Sequence, residues 1–145
     1  MTRINTINPS LLTDQHLRAE YLEYLFALSI LERSKNTNIP DKYVLGEGHI
    51  LFFKNKLLYL KERHELIKEE MNRRGFTTKI TLTFDKFSSD LFNDYIPDLR
   101  AKRINLERIV DRINLKPTWY RYHKNPIPSW MTSLESYWEK ILITN

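Results

Sequence analysis

The sequence predicts an all-α fold: a compact single domain of three main helices joined by long loops, with a short extra helix at the C-terminus. Three observations lead there. Apolar residues recur at three- and four-residue spacing in three separate stretches, the pattern of a helix with one buried face. Only three glycines occur among the 145 residues. The one stretch that alternates with period two has no comparable second stretch to pair with, and a lone strand leaves its backbone groups unsatisfied. A chain of this length suits one domain over residues 1–145.

Taken in order, Asn8-Pro9-Ser10 reads as a turn, and Thr13 or Asp14 caps a first helix whose buried stripe is Leu17, Tyr21, Leu25 and Leu28. His16, Glu20 and Glu23 fall near one another on a neighbouring face. The helix ends before Ser34, and Ile39-Pro40-Asp41 continues the loop. Gly46-Glu47-Gly48 marks the next turn; a lone Gly-x-Gly is weak evidence for a dinucleotide site. From about His49 to Arg74 the residues Phe53, Leu57, Leu60, Ile67 and Met71 follow helical spacing, with Gly75 as the stop. Phe52 and Phe53 read as core.

Phe76 to Phe84 is the alternating stretch, expected as an extended segment lying across helices. Asp85 to Asp98 reads as a loop. Leu99, Leu106, Ile109, Val110 and Ile113 mark another amphipathic helix with Arg100, Arg103, Arg108 and Arg112 largely outside, ended by Pro117. Thr132-Ser133-Leu134-Glu135 has the form of a capping box before a short final helix carrying Tyr137, Trp138 and Ile141.

The formal net charge is +5, and it is localised. Arg100 to Lys124 holds eight basic and two acidic residues, a balance of +6, which leaves −1 for the other 120. Such a patch with aromatics beside it suits a polyanion, most plausibly nucleic acid, although a solvated helix face has the same composition. Within it Trp119-Tyr120-Arg121-Tyr122-His123 interleaves rings that stack on bases with a guanidinium that holds phosphate. Three adjacent aromatics cannot all face one core, which favours a binding surface.

Zero cysteines exclude disulfides and thiolate metal sites. The four histidines lack metal-binding spacing and no acidic cluster suits a two-metal nuclease, so no metal and no cofactor are expected. No apolar run approaches the roughly 20 residues of a membrane span, and the polar start does not read as a signal peptide. An enzyme built from this chain needs a less usual nucleophile. The chain start offers one: Thr2 is small enough for Met1 to be removed, leaving an α-amine of reference pKa about 7.7–8.0 that is partly unprotonated at neutral pH. Glu23 then either points toward that amine or pairs at the surface with Arg18 or a neighbouring charge.

Five blocks in order carry a resemblance: Thr2-Arg3-Ile4-Asn5; Asp14-Gln15-His16-Leu17 with Ala19-Glu20-Tyr21 and Glu23; Leu45-Gly46-Glu47-Gly48-His49 with Phe52-Phe53; Asp94-Tyr95-Ile96-Pro97; and Pro117-Thr118-Trp119-Tyr120-Arg121-Tyr122. Together they resemble the T4 endonuclease V family of pyrimidine-dimer DNA glycosylases over most of residues 1 to 122. The resemblance implies a base-excision enzyme acting on double-stranded DNA as both glycosylase and abasic-site lyase, through a Schiff base on Thr2 with Glu23 as its partner. It implies that Arg3 holds a phosphate and that Gln15 and His16 shape the pocket, while the basic patch and aromatic run offer Arg108, Arg112, Lys116, Trp119, Tyr120, Arg121 and Tyr122 as DNA contacts.

The family's occurrence implies the cytoplasm of a bacterial or phage-infected cell. A monomer is expected, with the C-terminal helix available to a partner. Two positions depart from the pattern: where the archetypal members carry phosphate-gripping arginines on either side of the carboxylate, this sequence has Leu22 and Phe26.

Overall fold

In the computed structural model, which describes residues 4–35 and 38–144, the helices form where apolar periodicity places them and the connections are long. Helix α1 (Asp14–Arg33) starts at Thr13, whose hydroxyl accepts the His16 N–H, and it packs against α2 (Leu57–Arg73). Helix α3 (Leu99–Leu115) is capped by Asp98, whose carboxylate accepts the Ala101 N–H at 2.8 Å. The short α4 (Leu134–Ile143) lies against α3. Strands β1 (Arg121–Tyr122) and β2 (Asn125–Pro126) form a minimal antiparallel hairpin, with Tyr122 opposite Asn125. The mainly α-helical class is as predicted.

Two apolar clusters lie end to end along α1. One joins Leu17 and Tyr21 to Ile67, Met71, Leu106, Ile109 and Tyr137; the other joins Ile4 to Tyr24, Leu28, Phe52, Phe53, Leu60 and Ala101. The N-terminal segment and helices α1, α2 and α3 each pass from one cluster to the other and carry buried polar residues at the crossing. These are Asn5 in the N-terminal segment, Glu20 in α1, Arg63 and His64 in α2, and Asn105 in α3. A polar layer therefore separates the clusters, satisfied by its own hydrogen bonds as burial demands.

The alternating stretch behaves as expected. Residues 76–84 run extended, outside any ladder, with alternate side chains half-buried against the helices. Two of their backbone groups are held by a side chain: the Tyr21 hydroxyl accepts the N–H groups of Lys79 and Ile80 at 2.9 and 2.6 Å.

Several expectations are corrected. Helix α2 begins at Leu57 rather than His49, because Leu51–Phe53 form a separate 3-10 turn that buries Phe52 and Phe53 ahead of it. Leu25 and Leu99 are not buried; they are 48% and 59% exposed. The capping box at 132–135 does not form: Ser133, not Thr132, caps α4, and Glu135 pairs with Arg103. Glu20 does not share an accessible face with His16 and Glu23 but is fully buried beneath it.

Candidate active site

The residues leading to the chain start are fixed by partners from α2, α3 and the loop between α1 and α2. The Ile4 N–H donates to Nε2 of His49 at 3.0 Å, and Nδ1 of the same ring meets the Val44 carbonyl at 2.8 Å. One nitrogen accepts and the other donates, so the ring is held as a single neutral tautomer. The Tyr43 hydroxyl donates to the Ile4 carbonyl at 2.9 Å and that of Tyr59 to the Asn5 carbonyl at 3.1 Å. Asn105 Oδ1 accepts the Thr6 N–H at 2.7 Å, and its Nδ2 donates to Asn5 Oδ1 at 2.6 Å. The left-handed backbone of Gly48 permits the turn that aims His49; a side chain there is strained and would come within 3.3 Å of Pro40.

Beneath this segment lies a buried charge pair. Arg63 Nε and Nη2 reach the Glu20 carboxylate at 2.7 and 3.2 Å, and Asn5 Nδ2 and the Tyr24 hydroxyl complete it at 2.8 and 2.7 Å. Burial works against charge on Arg63, but Glu20 beside it holds the guanidinium protonated more firmly than usual. Burial likewise keeps the phenols neutral: that of Tyr59 is pushed up to about 12, and those of Tyr24 and Tyr43 are raised well above the usual value.

A second group assembles at the start of α1. The Gln15 side chain clips the aromatic run, donating to the Trp119 carbonyl at 2.9 Å and accepting the Arg121 N–H at 2.9 Å. His16 stacks on Tyr120 with ring centroids 5.0 Å apart and an interplanar angle of 5°. Burial, then the nearby Arg108 and Arg112, lower its pKa to about 4, so the ring is neutral at ordinary pH. Arg108 and Arg112 line an open cleft of about 440 Å³ together with Glu107 and Asp111 and the apolar Leu45, Ile104 and Leu115. Trp119 and Arg121 are exposed, as are Arg112 and Lys116.

The sites named from sequence thus fall into distinct places. Gln15, His16, Arg108, Arg112, Trp119, Tyr120 and Arg121 come together around one end of α1. Lys116 caps the C-terminus of α3 beside them, its carbonyl accepting the Trp119 N–H at 3.0 Å. Tyr122 does not join that surface; its hydroxyl donates to the Ser10 carbonyl at 2.6 Å and its ring packs under Arg74 and against Trp130. Glu23 is half-buried on α1, one turn from Ala27 in the cluster that contains Ile4. Thr2 and Arg3 lie outside the described residues.

The clamp of Asn5, Glu20, Tyr43, His49, Tyr59, Arg63 and Asn105 is absent from the residues that sequence reasoning singles out for the site. A signal exists: Asn105 stands at helical spacing between Ala101 and Ile109, and Arg63 with His64 interrupts the Leu60–Ile67 stripe, so polar residues occupy buried positions. Among the described residues no group of three or more His, Cys, Asp or Glu could hold a metal ion, and no helix is long and apolar enough to cross a membrane. Residues 1–84, more than half of the chain, match the family model of the pyrimidine dimer DNA glycosylases. That segment contains α1, α2, His49 and the buried Glu20–Arg63 pair.

Proposed function

Since the chain belongs to the pyrimidine dimer DNA glycosylase family, a family of DNA-repair enzymes, we propose that it excises cyclobutane pyrimidine dimers from double-stranded DNA and then cuts the strand as an abasic-site lyase. The nucleophile is the α-amine of Thr2, exposed once Met1 is removed. It attacks C1′ of the damaged nucleotide; the glycosidic bond breaks and the base departs with the bonding electrons. Loss of the amine proton and opening of the sugar leave an imine. A base then takes a proton from C2′, and the C3′–O bond breaks with the phosphate as leaving group.

Glu23 serves this amine. A carboxylate stabilises the developing oxocarbenium and iminium charge and relays the C2′ proton. Arg3 holds the neighbouring phosphate. Arg108, Arg112, Lys116, Trp119 and Arg121 carry the backbone on the surface that Gln15, His16 and Tyr120 brace, while Tyr122 supports it from below. The enzyme acts as a monomer of one domain over residues 1–145, without metal or cofactor, in a bacterial or phage-infected cytoplasm.

The observation that supports this reading most is the clamp on residues 4–6. Six hydrogen bonds with His49, Tyr43, Tyr59 and Asn105 fix the chain from two residues downstream of the amine. Such fixing is what an amine nucleophile requires, because its attack depends on near-attack geometry. A second reading, the same chemistry on another modified pyrimidine, is favoured by Leu22 and Phe26, which stand 56% and 71% exposed beside Glu23.

The test is borohydride trapping in EDTA on duplexes carrying a thymine dimer or an abasic site, with the mature N-terminus verified by mass spectrometry. Adducts on both substrates are expected, and Glu23→Gln should abolish cleavage. An adduct on abasic DNA alone would move the search to other bases. No adduct on either, with Met1 absent, would overturn the mechanism.

A further inference from the structure

Gln15 is not the only residue of α1 that meets the hairpin. Asp14, one position earlier, accepts the backbone N–H groups of His123 and Lys124 at 3.1 and 2.7 Å, which fixes where the Lys124 side chain leaves the turn. Arg18 stands one helical turn beyond Asp14 on the same side of α1. The two cations converge on a single ring: the Arg18 guanidinium lies 4.8 Å from the centroid of Phe76 and the Lys124 ammonium 5.2 Å. Their charges are therefore no more than about 10 Å apart. Gly75 makes room for this, since a Cβ there would come within 2.9 Å of Lys124 Nζ.

Neither charge is neutralised. Arg18 and Lys124 are both exposed, and neither has a carboxylate partner among the described residues. The neighbours of Arg18 at three- and four-residue spacing on α1 are Asp14, Gln15, Tyr21 and Leu22. Only Asp14 is acidic, and it is buried and paired with Arg74 at 3.0 Å. A lone lysine resting on a ring is ordinary, and Lys61 over Phe92 is such a case. Two like charges gathered on one ring repel each other, and an anion within reach of both relieves that repulsion.

Arg121 continues the same surface. Gln15, three residues before Arg18, accepts the Arg121 N–H, and the Arg121 guanidinium donates to the Thr118 and Tyr120 carbonyls and to no carboxylate. Resting on the DNA-repair reading above, we infer that Arg18 and Lys124, braced on Phe76, hold two successive phosphates of one strand where the duplex passes the Trp119–Arg121 segment. The contact is indifferent to base sequence and sets the position of the strand. Phe76 packs against the cluster that contains Leu17 and Met71. Its ring keeps the two charges in place, so less side-chain freedom is lost when the duplex arrives.

The experiment measures the dissociation constant of an undamaged duplex as a function of sodium chloride concentration, with thermal melts of every variant alongside. Wild type is compared with Arg18→Ala, Lys124→Ala, the double variant, Arg18→Lys and Lys61→Ala. Each neutralised phosphate contributes about 0.9 to the slope of log affinity against log salt. Arg18→Ala and Lys124→Ala are each expected to reduce that slope by about 1, and the double variant by about 2, while Arg18→Lys keeps it. Lys61→Ala, which removes a lysine from a ring of the other apolar cluster, should leave the slope unchanged.

An unchanged slope in the double variant overturns the inference; if that variant also melts earlier, the pair serves the fold alone. A wild type that binds no duplex overturns the DNA-repair reading and this contact together. Trapping on abasic DNA with an unchanged slope removes the contact alone. A reduced slope without trapping keeps the contact and removes the lyase.

Discussion

Nε2 of His49 accepts the backbone N–H of Ile4 at 3.0 Å, joining the turn after Gly48 to the chain two residues downstream of the proposed nucleophile. Because the ring also meets the Val44 carbonyl, both of its nitrogens are committed. His49→Phe fills the same apolar surroundings but leaves the Ile4 N–H without an acceptor. It should cost about 1–3 kcal/mol in denaturant unfolding and lower the rate of borohydride-trappable adduct further than that stability loss explains. A variant with reduced stability but an undiminished single-turnover rate would show that the contact holds the fold and not the amine.

The Glu20–Arg63 pair is buried and completed by Asn5 and Tyr24. Removing one member strands the other. Arg63→Leu should destabilise by about 3–5 kcal/mol, whereas Arg103→Ala, which breaks the exposed pair with Glu135, should cost under about 1 kcal/mol. Urea melts of the two variants compare them directly. Equal losses would refute the view that the polar layer is the more costly one to disturb.

His16 titrates out of register with its unfolded value. Its folded pKa is about 4 against 6.5 for an unperturbed imidazole, so below pH 6.5 the unfolded chain binds a proton that the folded chain refuses. The penalty is absent above pH 6.5, grows as pH falls, and levels off below about 4. Stability should therefore decline between pH 6.5 and 4, and His16→Gln should flatten that part of the profile. Thermal melts across the window, variant against wild type, provide the check.

The hairpin turn between β1 and β2 is made by His123 and Lys124, both with positive φ, of 51° and 67°. Histidine enters that conformation more readily than most residues, but lysine does not. It is held because the Asp14 carboxylate accepts both of their N–H groups, at 3.1 and 2.7 Å. Replacing the pair by Asn-Gly should stabilise by about 1 kcal/mol, and Asp14→Ala should destabilise and loosen the Trp119–Tyr122 segment. A lower melting temperature for the Asn-Gly variant would mean that the lost Lys124 contact with Phe76 outweighs the turn.

Legibility follows the range of the interactions. The helices, their apolar stripes and the extended 76–84 segment are readable because each depends on spacing within one stretch. Gln15, His16, Arg108 and Trp119 stand out by residue type and resemblance, but that Gln15 clips the backbone on both sides of Tyr120 does not, since it joins positions more than 100 residues apart. Helical spacing misplaces the start of α2 because the 3-10 turn Leu51–Phe53 buries residues at a spacing that a helix would also give. Glu20 reads as a surface neighbour of Glu23 because its partner, Arg63, lies 43 residues away and nothing local announces it.

The contact between Thr6 and Asn105 spans 99 residues of chain. During synthesis the first residues leave the ribosome long before α3 exists, and no folded unit ending at residue 84 can supply that partner. His49, Tyr43 and Tyr59 can hold Ile4 and Asn5 as soon as α2 has formed, but the Thr6 N–H waits for α3. The last part of the clamp is therefore set in the same event that completes the surface of α3 carrying Arg108 and Arg112.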